Sequence, residues 1–437
     1  MPKRCLLISY PFPPAGGLSG LRSVYIANFF VKCGWMVDVL TINHSKYHPL
    51  WDKQILSRVD SSIQVHRVNP GLLYRLRFKF GIMPVDISGW FLAMLAKQIY
   101  NCAVANLFIP LSNLSWVFHS FGTLWRLVRS REFQMVYSSG NPYATHLLTL
   151  VISKLFGMRW IMYVSDPYAF GALESHRPAL RRILDRIIDK MCISNAFRVI
   201  VNTRQTLLGY RSFFPQIPEE KYMVITDGYD PSIYGKIVPT PSDYFTIAYT
   251  GAFYSNYRAI GNFIEALSEI MYEDIRVIIA GSVPPEGKRS IAAFGLVGRV
   301  NIIDFLPHEE VIRLQKSADV LFNFGWSGGF QIPGKLFEYF GAQRVILTVQ
   351  CGQKDASSDM VLALRRGVVT GSGKEEIKKA ILELYSLWKA GKLDDSFDLR
   401  VLRQFSWDEL LPKLGEIVAC IPKSRKDSQE KALSLKL

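Results

Sequence analysis

The sequence predicts an α/β protein made of two doubly wound, Rossmann-like domains facing each other across a cleft. Length is one reason, because 437 residues exceed what a single hydrophobic core usually supports. The second is an alternation of short apolar runs with helix-length stretches through short links, the signature of a parallel sheet. The third is a break at the proline-rich KIVPTPSDY, residues 236–244, after which the alternation starts again.

In the first half, CLLIS (5–9) reads as a buried parallel strand and PFPPAGGLSG as the loop after it. LRSVYIANFFVKCG forms the helix, Gly34 is its stop, and MVDVLTI (36–42) is the second strand. The unit recurs as MVYSS (135–139), a helix over 142–156, and RWIMYVSD (159–166). A helix around 177–192, RVIVN (198–202), a further helix and YMVITDG (222–228) complete the series.

Past the linker come FTIAYTG (245–251), IRVIIAG (275–281), VNIIDFL (300–306), DVLFNF (319–324) and RVILTV (344–349). Helices are expected between them at 258–271, 286–295, 308–317 and 334–341, with another at 374–390. The expected division is an N-terminal domain over 1–236, a C-terminal domain over 237–400, and a helix with a charged tail over 401–437.

Residues 72–130 depart from this pattern. LLYRLRFKF interleaves Arg75, Arg77 and Lys79 with Leu76, Phe78 and Phe80, and 89–130 is rich in Trp, Phe and Leu. Such mixing suits either an anionic lipid surface or an insertion packed on its own domain.

Net charge of +15 with 49% apolar residues and a mean hydropathy of +0.12 implies an anionic partner for a globular chain. A nucleic-acid partner is not expected, since there is no clustered basic helix, zinc motif or aromatic nucleic-acid signature. Six dispersed cysteines without a CxxC pair read as reduced thiols. MPKRCLLISY reads as a buried strand instead of a signal peptide, and no uninterrupted apolar run is long enough for a membrane span. The expected location is the cytoplasm, peripheral to the inner membrane face.

QIPGKLFEYFGAQRVIL, residues 331–347, carries the most chemistry. The loop Trp326-Ser327-Gly328-Gly329 leads into a helix start, which gathers unpaired N–H groups and positive dipole and so suits a phosphate. Lys335 adds mobile positive charge, and Glu338, one turn on, suits paired ribose hydroxyls. Together they point to a nucleotide diphosphate with its sugar; plain helix capping is the alternative.

Over nearly its whole length the chain resembles glycosyltransferase family 4, of the GT-B fold. The resemblance rests on SYPFPPAGG with LRS, GW and VDVLT, on ITDGYD, on AYTGAFYSNYR and on IPGKLFEYFGAQRVIL. VYSSGNPYATHLL and RWIMYVSDPY resemble an exopolysaccharide and cell-surface branch with a DFRDPW-like string. The resemblance implies retaining sugar transfer from a UDP- or GDP-sugar, without a bound metal or tightly held cofactor. The acceptor is expected to be lipid-linked or a growing surface glycan.

Carried over by motif, Glu338 would bind the ribose, while Lys335 and Arg258 would neutralise the diphosphate together with backbone amides of Gly329, Phe330 and Gln331. Gly251, and Gly16 with Gly17 from the other domain, would let the backbone approach the phosphates. Leu306 and Pro307 would lie by the base. Asp166 could orient the acceptor hydroxyl, act as base, or cap the turn before Pro167. His146 could meet the donor sugar or be a satisfied core histidine. Arg22 could meet phosphate or be a solvated helix residue. Phe330 stands where many members carry a second glutamate, and YVSDPY lacks the Asp and Arg that usually precede its Asp-Pro. These departures support a second reading, an inactive binding or scaffold subunit.

Overall fold

A computed structural model describes residues 3–44, 48, 50–70, 114–140, 142–170, 177–253, 257–325, 329–352 and 355–421, with the backbone alone at 114–115 and 257–259. Arg75, Arg77 and Lys79, the loop residues Trp326 to Gly328, and the charged tail lie outside these residues. The chain forms two compact units, one of Met1–Ile225 with Leu411–Leu437 and one of Thr226–Leu410.

The first unit holds strands β1 (Arg4–Ile8), β2 (Met36–Ile42), β3 (Gln64–Val68), β4 (Met135–Ser139), β5 (Arg159–Val164), β6 (Arg198–Val201) and β7 (Tyr222–Val224). All pair in parallel, in the order β3-β2-β1-β4-β5-β6-β7. Its helices are α1 (Leu18–Lys32), α2 (Leu114–Ser130), α3 (Ala144–Phe156), α4 (Ala179–Asn195) and α5 (Arg204–Phe213). Central strands are apolar almost throughout because helices cover both faces of the sheet; Leu7 lies opposite Val39 on one side and Tyr137 on the other, all fully buried.

The second unit begins with α6 (Pro231–Lys236), capped by the Asp230 carboxylate, which accepts from the Ser232 amide at 2.9 Å. Strands β8 (Phe245–Thr250), β9 (Ile275–Ala280), β10 (Val300–Ile303), β11 (Val320–Phe324), β12 (Val345–Val349) and β13 (Gly367–Thr370) pair in parallel in the order β10-β9-β8-β11-β12-β13. Between and after them run α7 (Tyr257–Ser268), α8 (Pro285–Ala293), α9 (His308–Ser317), α10 (Lys335–Ala342), α11 (Ala356–Ala363), α12 (Lys374–Lys389) and α13 (Trp407–Ala419). From Leu411 onward the chain is again part of the first unit.

The α/β architecture with two parallel sheets is the one the sequence predicts. β3 and β13 were not legible in advance. QVHRV and GVVT are edge strands with mixed or half-exposed faces, so neither reads as a buried run. The units part between Ile225 and Thr226, ahead of the expected linker at 236–244, because α6 packs against α10 of the second unit.

Candidate functional site

In the second unit the strand order reverses between β8 and β11. Helices leave those strands in opposite directions, so a crevice opens at their carboxyl ends. Gly251 follows β8 there with φ +131°, and Gly281 follows β9 with φ +145°. A Cβ on Gly281 would lie 2.0 Å from the Gly251 carbonyl oxygen, so the close approach of these two backbones requires glycine.

Lys335 opens α10 beside this turn, its Cδ and Nζ 3.7 and 3.8 Å from where a Gly251 Cβ would stand. Its ammonium lies 3.5 Å from the centre of the Tyr249 ring. Tyr249 in turn stacks on Phe253, with centroids 4.2 Å apart and planes 7° from parallel. Desolvation in this aromatic setting pushes the lysine well below its ordinary pKa, and the nearby charge of Glu338 only partly restores it.

Glu338 is held from both sides by α9. Its Oε1 lies 3.1 Å from His308 Nε2 and its Oε2 accepts from Gln315 Nε2 at 3.4 Å. Gln315 is fully buried; it also donates to Thr250 Oγ1 at 3.0 Å and accepts from the Tyr234 hydroxyl at 3.0 Å. Thr250 donates its amide to the Tyr339 hydroxyl at 3.1 Å, and that hydroxyl donates to the Phe322 carbonyl at 3.2 Å. The carboxylate is therefore wired to the end of β8 and the middle of β11 through buried, satisfied polar groups.

The structure thus brings Lys335, Glu338 and Gly251 together. Leu306 and Pro307 are half-buried immediately before His308. Gly329 takes a left-handed φ of +76°, and Phe330 and Gln331 are half-buried on the approach to α10. Arg258 stands in the first turn of α7, with its side chain outside the described residues. Gln315, Tyr249, Thr250 and Gly281 carry the geometry but were missed in the sequence. The available signal for Gln315 was its place two turns after His308 on one helix face.

The other candidates lie in the first unit, whose strand order reverses between β1 and β4. Gly16 donates its amide to the Leu50 carbonyl, and a Cβ there would come within 2.9 Å of that oxygen. Gly17 precedes α1 with φ +83°. Arg22 is buried, its guanidinium 4.6 Å from the Tyr163 ring centre. His146 is also buried, with Nδ1 2.8 Å from Ser138 Oγ and a hydrogen bond to the Tyr163 carbonyl. Burial drives its pKa down to about 3, so the ring stays neutral. Asp166 lies exposed just past β5 and accepts from Ser165 Oγ at 3.3 Å. Nearby, Tyr168 stacks on Tyr143 at 4.0 Å, and Tyr143 donates to the buried Asp189 at 2.6 Å. Among the described residues no group of three or more His, Cys, Asp or Glu side chains is placed to hold a metal.

Residues 244–386 match the family model of glycosyl transferases group 1. No curated protein matches the chain. Sucrose-phosphate synthase from Thermosynechococcus elongatus is similar in structure, with TM-score 0.67 and 14% identity over 95% of this chain and 98% of that one. HepE of Anabaena, solved with UDP and glucose, aligns with TM-score 0.65 and 12% identity over 96% and 100%. WaaG, a glycosyltransferase of lipopolysaccharide biosynthesis, aligns with TM-score 0.58 and 13% identity over 95% and 100%. At such identities the likeness concerns the fold. The match to the glycosyl transferases group 1 model falls within the second unit, and the chain shares the two-domain α/β fold of these solved proteins.

Proposed function

We propose that this protein is a retaining glycosyltransferase that moves a sugar from a UDP- or GDP-sugar to a lipid-linked or surface-glycan acceptor at the cytoplasmic membrane face. The observation that carries this reading is the placing of Lys335, Glu338 and Gly251 around one strand reversal. A bare backbone at Gly251 lets a diphosphate come close. Lys335 supplies charge where negative charge builds up as the sugar–phosphate bond breaks, and that stabilises the transition state. Glu338, held by His308 and Gln315, offers carboxylate oxygens to paired ribose hydroxyls. Complexes of HepE with UDP and with UDP-glucose support a nucleotide-sugar donor.

Retention needs no protein nucleophile, because the leaving phosphate can take the acceptor proton while positioning does much of the remaining work. Asp166 and the Tyr168 loop are proposed to serve the acceptor. The transfer is proposed to run without a bound metal, with Lys335 and Arg258 meeting the diphosphate charge. The test is calorimetry and thermal shift against UDP- and GDP-sugars, with Glu338→Ala as control. Binding of one donor class that Glu338→Ala removes is expected; no binding of either class would sink the proposal. Phe330, in place of a glutamate, favours a non-catalytic binding subunit as the second reading. Such a subunit would bind donor yet neither hydrolyse nor transfer it.

A further inference from the structure

On the first unit, α2 packs on α3 and α3 on α4, and their outer faces share one composition. Phe118 and Phe121 are exposed on α2, Val151 and Leu155 on α3, and Leu180, Ile183 and Ile187 on α4, with Phe118 at 72% and Leu180 at 67%. On α4 these positions, continued by Met191, recur at helical spacing and form one stripe. The exposed charges among them are all positive: Arg126 and Arg129 on α2, Lys154 on α3, Arg186 and Lys190 on α4.

Among the described residues, helices α2, α3 and α4 expose no acidic side chain, for identifiable reasons. Helices α2 and α3 contain none. The two on α4 point inward and are buried, Asp185 bonded to Arg177 at 2.7 Å and Arg181 at 2.6 Å, and Asp189 to Tyr143. An ordinary solvated face intersperses both signs of charge, and this one does not. A protein interface would deplete lysine at its centre, whereas Lys154 and Lys190 stand among the apolar side chains. Long cationic side chains beside buried apolar ones suit headgroups above acyl chains.

We infer that the outer faces of α2, α3 and α4 form a docking surface for an anionic lipid bilayer, with the apolar side chains entering the acyl boundary and the cations meeting headgroup phosphates. This deepens the membrane-facing part of the proposed function, and it is read without any sugar donor. Among the described residues no helix is long and apolar enough to cross a membrane.

The experiment is flotation of the full chain with phosphatidylcholine vesicles, with and without phosphatidylglycerol. Binding is expected only with the anionic lipid and weakens as salt rises. The pair Arg186→Glu and Lys190→Glu lowers partitioning by at least about 25-fold, from roughly fivefold for each cation lost near such a surface. Ile183→Glu with Ile187→Glu lowers it by at least about tenfold. Unchanged unfolding temperature and nucleotide binding in both variants would establish that fold and donor site are intact. Absence of binding to anionic vesicles, or binding indifferent to both pairs, overturns the inference. So does a dimer in solution that Ile183→Glu dissociates while vesicle binding persists. If the donor screen fails but flotation succeeds, the donor reading falls and the docking surface stands.

Discussion

The half-buried Lys335 ammonium rests over the Tyr249 ring, 3.5 Å from its centre, in a setting that partly shields it from water. A lysine with a lowered folded pKa destabilises the protein at every pH where the unfolded chain carries the proton. That penalty is complete below the folded pKa and relaxes as pH rises toward the ordinary lysine value. Lys335→Met is therefore expected to raise the urea midpoint at neutral pH. It should also cost about 2.7–4 kcal/mol of transition-state stabilisation, a loss of roughly a hundred- to a thousandfold in kcat. A variant that loses both stability and activity would contradict this assignment.

Donor binding should also take up a proton. A diphosphate beside Lys335 favours the charged amine and draws its lowered pKa upward. Calorimetry of donor binding in buffers of different ionisation enthalpy should show net proton uptake at pH values above the donor-free pKa. Affinity should decline as pH rises further. Lys335→Arg, which stays charged, should abolish the uptake.

Gln315 offers a sharper test of how Glu338 is held. Gln315→Ala leaves the Thr250 and Tyr234 hydroxyls and Glu338 Oε2 without their amide partner, at a cost of about 1–3 kcal/mol in unfolding free energy. The donor KM should rise more than kcat falls. Gln315→Glu should be worse on both counts, since it sets a second carboxylate against Glu338. Steady-state kinetics and urea titration of the pair would check the order.

Gly281→Ala tests the crevice floor. The added Cβ would meet the Gly251 carbonyl at 2.0 Å, at a φ of +145°, so the ends of β8 and β9 must separate. Destabilisation of more than about 1 kcal/mol is expected, with a matching loss of donor affinity. Gly295→Ala, where no atom stands within 4 Å of the new Cβ although φ is +68°, should leave donor affinity unchanged.

Acid sensitivity should centre on Asp38 in the first unit. This fully buried carboxylate pairs with Arg4 and His66, each at 2.8 Å, and with Arg131. Burial works to raise its pKa, and the bonds from His66 and Arg4 with the charge of Arg131 outweigh it and lower it. Its stabilisation is present above the unfolded value, near 3.9, and is lost as pH falls through the lower folded value. Asp38→Asn should cost about 3 kcal/mol, the low end for a broken buried pair because its partners are partly exposed. It should also flatten the acid limb of the stability–pH curve.

What the sequence determined by itself was the alternation of elements, the restart after the linker and the pairing of Lys335 with Glu338. Each of these is local: buried strands show as apolar runs, and residues three apart share a helix face. Edge strands such as GVVT were illegible because a half-exposed strand has no apolar run to mark it. Only the tertiary structure decided that Gln315 and His308 hold Glu338, that Tyr249 underlies Lys335, and that Gly281 must be glycine. In each case the partner is far along the chain and is brought near by the strand order, which periodicity does not encode. The same holds for α4, whose acids turn inward and leave no acidic side chain on its outer face.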